Sequence, residues 1–266
     1  LQAIKLRKRV TPTSQDDHPC INCNRPVNNL YCQHCGQRRD IKRITWTSVF
    51  GDLQSKFLGF DNSFLRTVKD LTIRPGKVVQ TILKGVRVKY FGPAGYFFVL
   101  ISIFVLLLAL LKIDPIEFSF GFMDSFVDAD KSKSNLDDPF IGFLSENFKL
   151  SFFLLLPAYV FTSWLIFRKS GLNFTEHAVT ILYAHAHPLI LSIFSLFLYK
   201  LTGHSFNTLI SVISIIYIGF LLSDVHTYNK RWWAFVKGVL VWCFGSLLVG
   251  VLTVIVIMVI KAVAPI

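Results

Sequence analysis

The sequence has none of the short motifs that place reactive groups by spacing: no HExxH, no GxSxG, no Walker loop and no Rossmann fingerprint. That absence argues against the common peptidase, hydrolase, nucleotidase and dinucleotide-dependent classes, and the chain is read as a non-enzyme. Acidic residues are scarce, 16 Asp and Glu against 28 Lys and Arg, for a formal charge of +12. Cysteine is scarcer still. Four of the five cysteines fall between Cys20 and Cys35, and Cys243 lies in an apolar block where a thiol simply packs. The opening stretch Leu1–Val10 is basic and has no apolar core long enough for a signal peptide. Residues 1–19 read as a flexible basic tail.

What is present is grease and one-sided charge. Hydrophobic residues make up 53% of the chain and aromatics 15%, gathered in long blocks, which is the composition of a membrane protein. Residues 1–92 hold 17 Lys and Arg against 6 Asp and Glu, so nearly all of the net charge precedes the first apolar block.

Cys20-Ile-Asn-Cys23 and Cys32-Gln-His-Cys35 are two CxxC pairs, the spacing of a small zinc ribbon in residues 20–37. Four thiolates close a tetrahedral shell around one Zn2+, which makes the site structural. A redox pair or a disulfide is the competing reading. Each knuckle favours positive φ just after its second cysteine, and Asn24 and Gly36 tolerate it. So small a segment has little apolar core, so metal binding supplies most of its folding energy. Reduced thiols imply the cytoplasm.

Residues 38–92 form a basic amphipathic segment. Trp46, Phe50, Leu53, Phe57, Phe60, Phe64, Val68 and Leu71 recur at helical spacing, predicting interfacial helices broken near Gly59, with Asp61 capping the second. Pro75 suits the first turn of a further short helix. Lys77, Lys84, Arg87 and Lys89 follow as a basic collar. With apolar blocks following, this charge faces the anionic headgroups of a bilayer rather than nucleic acid.

Residues 93–266 read as a five-span domain, giving an all-α integral membrane fold. The apolar blocks are Phe91–Leu111, Leu150–Phe167, Ala178–Tyr199, Phe206–Ser223 and Gly238–Ile260. The stretch 112–149 between the first two is acidic, with 8 Asp and Glu against 4 Lys, and the turns at Arg168-Lys169 and Lys230-Arg231 are basic. The positive-inside rule therefore puts the N-terminus in the cytoplasm and the C-terminus outside, agreeing with the cysteines. Pro157 is expected to kink the second span. Ser246, Gly250, Gly238 and Gly245 offer a small-residue face, for internal packing first and a homodimer seam second.

The third block carries unusual polarity. Glu176, Thr180, Tyr183 and His187 are spaced 4, 3 and 4 apart, one face of a helix, while His185 points elsewhere and Pro188 interrupts it. Asp224 and His226 end the fourth block and approach Glu176 and His177 if the two spans are antiparallel. These groups either build an ion, proton or lipid-phosphate site, or hold helices together by hydrogen bonds.

Three stretches in order, Cys35-Gly36-Gln37, then Leu71-Thr72-Ile73-Arg74-Pro75-Gly76, then Gly85 through Pro93, resemble an uncharacterised bacterial family of zinc-ribbon membrane proteins, named as a domain of unknown function. The resemblance implies a bacterial inner membrane and carries no activity. The expectation is a membrane protein whose cytoplasmic ribbon and collar dock a protein partner or organise a larger assembly. The alternative is a transporter, channel or lipid-handling protein working through the third span.

Overall fold

The computed structural model of the chain describes residues 18–40, 43–46, 48–49, 62–113, 118, 148–204, 206–227 and 230–263. These are mostly helical. In order they form strands β1 (His18–Pro19) and β2 (Pro26–Val27), then helices α1 (Ser63–Ile73), α2 (Pro75–Leu83), α3 (Pro93–Leu111), α4 (Phe148–Ile166), α5 (Phe174–Ala186), α6 (Leu189–Thr202), α7 (Asn207–Val225) and α8 (Arg231–Val263).

Among the described residues, four stretches are long and apolar enough to cross a membrane: α3, the run Phe174–Thr202 made by α5 and α6, α7, and Arg231–Leu252 of α8. Four of the five expected spans are matched in this way among these residues; the expected second span coincides with α4, a 19-residue helix whose side chains are described from Leu156 on. Pro157 lies inside α4. The 112–149 stretch is described only at its start and end and at Phe118, which packs edge-on against Tyr199.

Helix boundaries follow local chemistry. Gly92 in extended conformation precedes Pro93 at the first helical position of α3, where the missing N–H has no acceptor to lose. Pro75 starts α2 in the same way. The helix expected to start beside Asp61 instead begins at Ser63, with Asn62 at the cap position and no side-chain cap bond. The expected break at Gly59 lies outside the described residues. Pro188 divides α5 from α6, because proline cannot donate the bond a continuous helix needs there.

α5 is the centre of the bundle. It packs against α3 and α4, with further contacts to α2, α6 and α7, while α8 covers α7 and α4. A central position explains why ten of its thirteen residues are buried, polar ones included. Two glycines let helices close tightly here: a Cβ on Gly238 would stand 2.8 Å from the Gly219 backbone, and Gly245 faces the ring of Tyr159. Ser246 bonds the Tyr159 hydroxyl at 2.9 Å, so most of the small-residue face serves packing within the chain, while Gly250 meets nothing.

The amphipathic helices α1 and α2 lie on this bundle. Leu71, Val78 and Val79 are fully buried, α2 rests along α7, and the Tyr217 hydroxyl donates to the Leu71 carbonyl at 3.2 Å. The N-termini of α3, α5 and α8 and the C-termini of α4 and α7 share one end with the cysteine segment, called here the ribbon end.

Candidate functional site

The cysteine segment is built from two matching knuckles. In the first, Cys20 N–H donates to Arg25 O (2.7 Å) and Asn24 N–H to Cys20 O (2.9 Å). The second repeats this with Cys32 to Gln37 O and Gly36 to Cys32 O, both 2.8 Å. Asn24 (φ 61°) and Gly36 (φ 70°) hold the left-handed backbone that each turn demands. β1 and β2 pair across the first knuckle, and Tyr31 bridges Arg38 across the second.

This brings the sulfurs of Cys20, Cys23, Cys32 and Cys35 within 4.8 Å of one another, with Cys20–Cys35 and Cys23–Cys32 at 3.6 Å. Metal–sulfur bonds of about 2.3 Å give a tetrahedron with edges of about 3.8 Å, so the set fits one four-coordinate ion. None of the four is in a disulfide. At Cys32 the N–H of His34 favours the thiolate and brings the thiol down to about 7. At Cys23 the N–H of Arg25 acts the same way, but desolvation and the other three sulfurs outweigh it and push the thiol up to about 12. Four sulfurs this close cannot all ionise without a cation among them.

Gln37 joins this centre to the bundle. It is 4% exposed; its side-chain amide donates to Gly85 O at 3.0 Å and its Oε1 accepts from Arg87 N–H at 3.1 Å. Its own carbonyl takes the Cys32 N–H, so one residue completes a knuckle and grips the loop leading into α3. Sequence reasoning quoted Gln37 without giving it a role; its place beside Cys35-Gly36 was the available signal. Gln37→Ala is expected to remove the bonds to Gly85 O and from Arg87 N–H, a loss of about 1–3 kcal/mol. The check is hydrogen exchange at the Arg87 amide, which should speed roughly tenfold or more; unchanged exchange would show that the ribbon is not held there.

A second tie lies next to it. Arg43 makes a bidentate pair with Glu176 (3.0 and 2.9 Å) and donates to Gly171 O at 2.8 Å. Glu176 is buried, and it also closes a capping box with Asn173 at the start of α5. The pair holds the Arg43 guanidinium above its usual range, the hydrogen bond with Glu176 being the largest cause. Asn173 further reaches Ile44 O at 3.3 Å. Nothing in the spacing of Arg43, one cation in a charge run, pointed to Glu176.

The third-span polar residues do not meet in one place. Thr180 donates to Glu176 O in its own helix, and the Tyr183 hydroxyl donates to Phe91 O at the start of α3. His187 sits at the α5–α6 break, bonded to Tyr96 OH (2.9 Å) and Thr72 Oγ1 (3.1 Å), with the Tyr217 ring 5.2 Å away. His185 faces the other way, onto the Tyr159 ring of α4. His226 does come to His177, their rings 5.4 Å apart, and His177 bonds Ser163 at 3.0 Å. Asp224 does not join them; it pairs with Arg231 at 3.0 Å and its backbone carbonyl accepts from Gln80 at 2.5 Å. The two cavities described, about 10 and 470 Å³, are lined by other residues, and neither touches Glu176, Tyr183 or His187.

Near the collar, Tyr90 OH donates to Asp70 at 2.8 Å, and burial first, then this bond, pushes the phenol up to about 12. Thr67 accepts the Phe91 N–H at 2.9 Å. These bonds pin the stretch before α3 to α1, where sequence reasoning saw only charge and apolar spacing.

No curated protein and no solved structure matches the chain. Residues 61–105, which take in α1, α2 and most of α3, match the model of a family described as Protein of unknown function (DUF3667), and the four-cysteine centre lies a short distance N-terminal to that match.

Proposed function

We propose that the chain is a non-enzymatic integral membrane protein of a bacterial inner membrane, in which a cytoplasmic zinc ribbon, set on a basic collar, acts as a docking or assembly module. The observation that carries this reading is the Gln37 clamp: the metal centre is gripped by the loop that enters the first span, so it is presented at a defined position. Zinc suits a closed set of four cysteines in matched knuckles. The positive charge of the first 92 residues and the reduced cysteines favour a cytoplasmic N-terminus.

The ribbon also carries the surface a partner needs. Ile21, Leu30 and Tyr31 are 41%, 55% and 53% exposed, three large apolar side chains on a segment of about twenty residues. Such side chains supply the buried centre of a protein interface. The alternative, transport through the third span, draws on the His187 cluster; against it, that polar face is engaged in bonds within the chain.

Leu30→Asp tests the docking reading, since it leaves all four cysteines in place. Native purification of wild type should recover a stoichiometric partner by mass spectrometry, and Leu30→Asp should recover at least roughly tenfold less while keeping its metal. Equal recovery by both, or no partner with wild type, would overturn the docking reading and turn attention to flux through the third span.

A further inference from the structure

The larger cavity, about 470 Å³, opens at the ribbon end between α2 and the last turn of α7, and its lining is Gly76, Lys77, Gln80, Thr81, Lys84 and Asp224. Four of these, Lys77, Gln80, Thr81 and Lys84, are spaced i, i+3, i+4 and i+7, so they stand on one face of α2 and its C-cap, Lys84. The opposite face, Val78, Val79 and Ile82, is buried against the bundle. Lys77 and Lys84 are exposed and make no ion pair among the described residues. Two turns apart on flexible stems, both ammonium groups can reach one anion held over Gln80.

The far wall has the opposite sign. Gly76 lets α2 press directly on Asp224, where any side chain would collide, and Gln80 fixes the Asp224 backbone. Arg231 takes Oδ1 of the Asp224 carboxylate at 3.0 Å, and the Asp224 side chain, 30% exposed, lines the cleft. A cleft with two cations on one side and a carboxylate oxygen on the other complements a group that carries a phosphate and an ammonium a short linker apart.

Depth identifies the source of that group. Asp224 is the penultimate residue of α7, a helix of membrane-crossing length, which puts the cleft at headgroup level. Below it on the same face, at spacings of four, four, three and four residues, come Phe220, Ile216, Ile213 and Leu209, all exposed. This apolar track runs from the cleft along the length of α7, as an acyl chain would. Trp232 and Trp233, both exposed at the start of α8, mark the same level as an aromatic belt.

We propose that the cleft between α2 and α7 is a binding site for a phosphoethanolamine-headed membrane lipid: Lys77 and Lys84 hold the phosphate, Asp224 receives the ammonium, and the Leu209–Phe220 face carries a chain. A headgroup without the ammonium, phosphatidylglycerol, meets the Asp224 carboxylate unfavourably. A phosphocholine headgroup offers no N–H to accept.

The test is native mass spectrometry of the full-length protein in mixed micelles of defined lipid. Wild type should retain phosphatidylethanolamine over phosphatidylglycerol by roughly fivefold or more, and Lys77→Gln/Lys84→Gln should lower that retention roughly tenfold by removing two basic contacts at the surface. Both lysines are exposed, so the double variant keeps its fold. Asp224→Asn should erase the preference while leaving total lipid retention, a readout that misfolding would not produce. Soluble phosphoethanolamine and inorganic phosphate, at concentrations matching the lipid, should fail to compete, because they lack the chain. Equal retention by wild type and the double variant, a preference for phosphatidylglycerol, or full competition by the soluble headgroup would each overturn the proposal.

Discussion

Cys32→Ser is expected to abolish stoichiometric metal binding and to unfold residues 18–40 without disturbing the bundle. Cys32 is 2% exposed, and its sulfur lies 3.6 Å from that of Cys23 inside the four-sulfur set. Serine is a poor ligand for a borderline-soft ion, so affinity should fall by well over the roughly 10–100-fold that loss of an outer partner of a metal ligand causes. Folding falls with it. The buried apolar residues of the segment are Cys20, Val27 and Cys32, with Cys23 and Cys35 packed against them; apart from one valine, its apolar interior is made of the ligands themselves. The main apolar cluster is separate, drawn from α1 through α8, so the spans should stay inserted. Metal analysis of the purified protein reads the first effect, and hydrogen exchange over residues 18–40 against α3 and α7 reads the second. One metal per chain in the variant, with the ribbon amides still protected, would mean that the cysteines are not the ligands.

Glu176→Ala should be the most damaging single change in the bundle, destabilising it by about 2–4 kcal/mol. The carboxylate accepts three hydrogen bonds: two from the Arg43 guanidinium, one to each oxygen, and one from the Asn173 N–H at 2.8 Å. Its removal opens the cap of the central helix and leaves Arg43 with the Gly171 carbonyl. Breaking a buried pair can cost about 3–5 kcal/mol, but the Arg43 side chain is 42% exposed and regains water, which lowers the figure. Glu176→Gln keeps an acceptor for Asn173 but loses the charge, so it should fall between. Thermal unfolding in detergent orders the three proteins, wild type above Gln above Ala by several degrees at each step. A variant as stable as wild type would show that the Arg43 tie contributes nothing to holding the N-terminal segment on α5.

Glu176 acts at a junction between distant segments, and such junctions are not legible in the sequence, whereas the cysteine centre is. The four cysteines were legible because a knuckle is local: its ligands are three residues apart, and the turn needs positive φ at Asn24 and Gly36, which those residues supply. The membrane-crossing stretches were legible because a bilayer demands length and apolarity of each helix separately. The expected second span likewise coincides with a helix, α4.

Of the third-span polar residues, Glu176, Thr180 and Tyr183 are buried while His185 and His187 are half-buried, and they do not share one site. Helical spacing put Glu176, Thr180, Tyr183 and His187 on one face, but a face says nothing about what packs against it. Here the segment at Arg43, the loop before α3, α1 and α3 supply a different partner at each level: Arg43 for Glu176, Phe91 for Tyr183, Thr72 and Tyr96 for His187. Likewise Asp224 was expected beside Glu176 and instead faces Arg231 and α2, because Gly76 admits α2 to that position.

Spacing, composition and charge asymmetry thus determined the cysteine centre, the apolar helices and the basic segment before them, since each depends on residues close in the chain or on the solvent each segment must meet. Tertiary structure alone decided that Gln37 grips residues 85–87, that Arg43 reaches across 133 residues to Glu176, and that the cleft of Lys77 and Lys84 faces Asp224. Those pairings join groups brought together only when the helices pack, and a hydrogen bond or an ion pair is specified by distance in space, on which separation along the chain places almost no constraint.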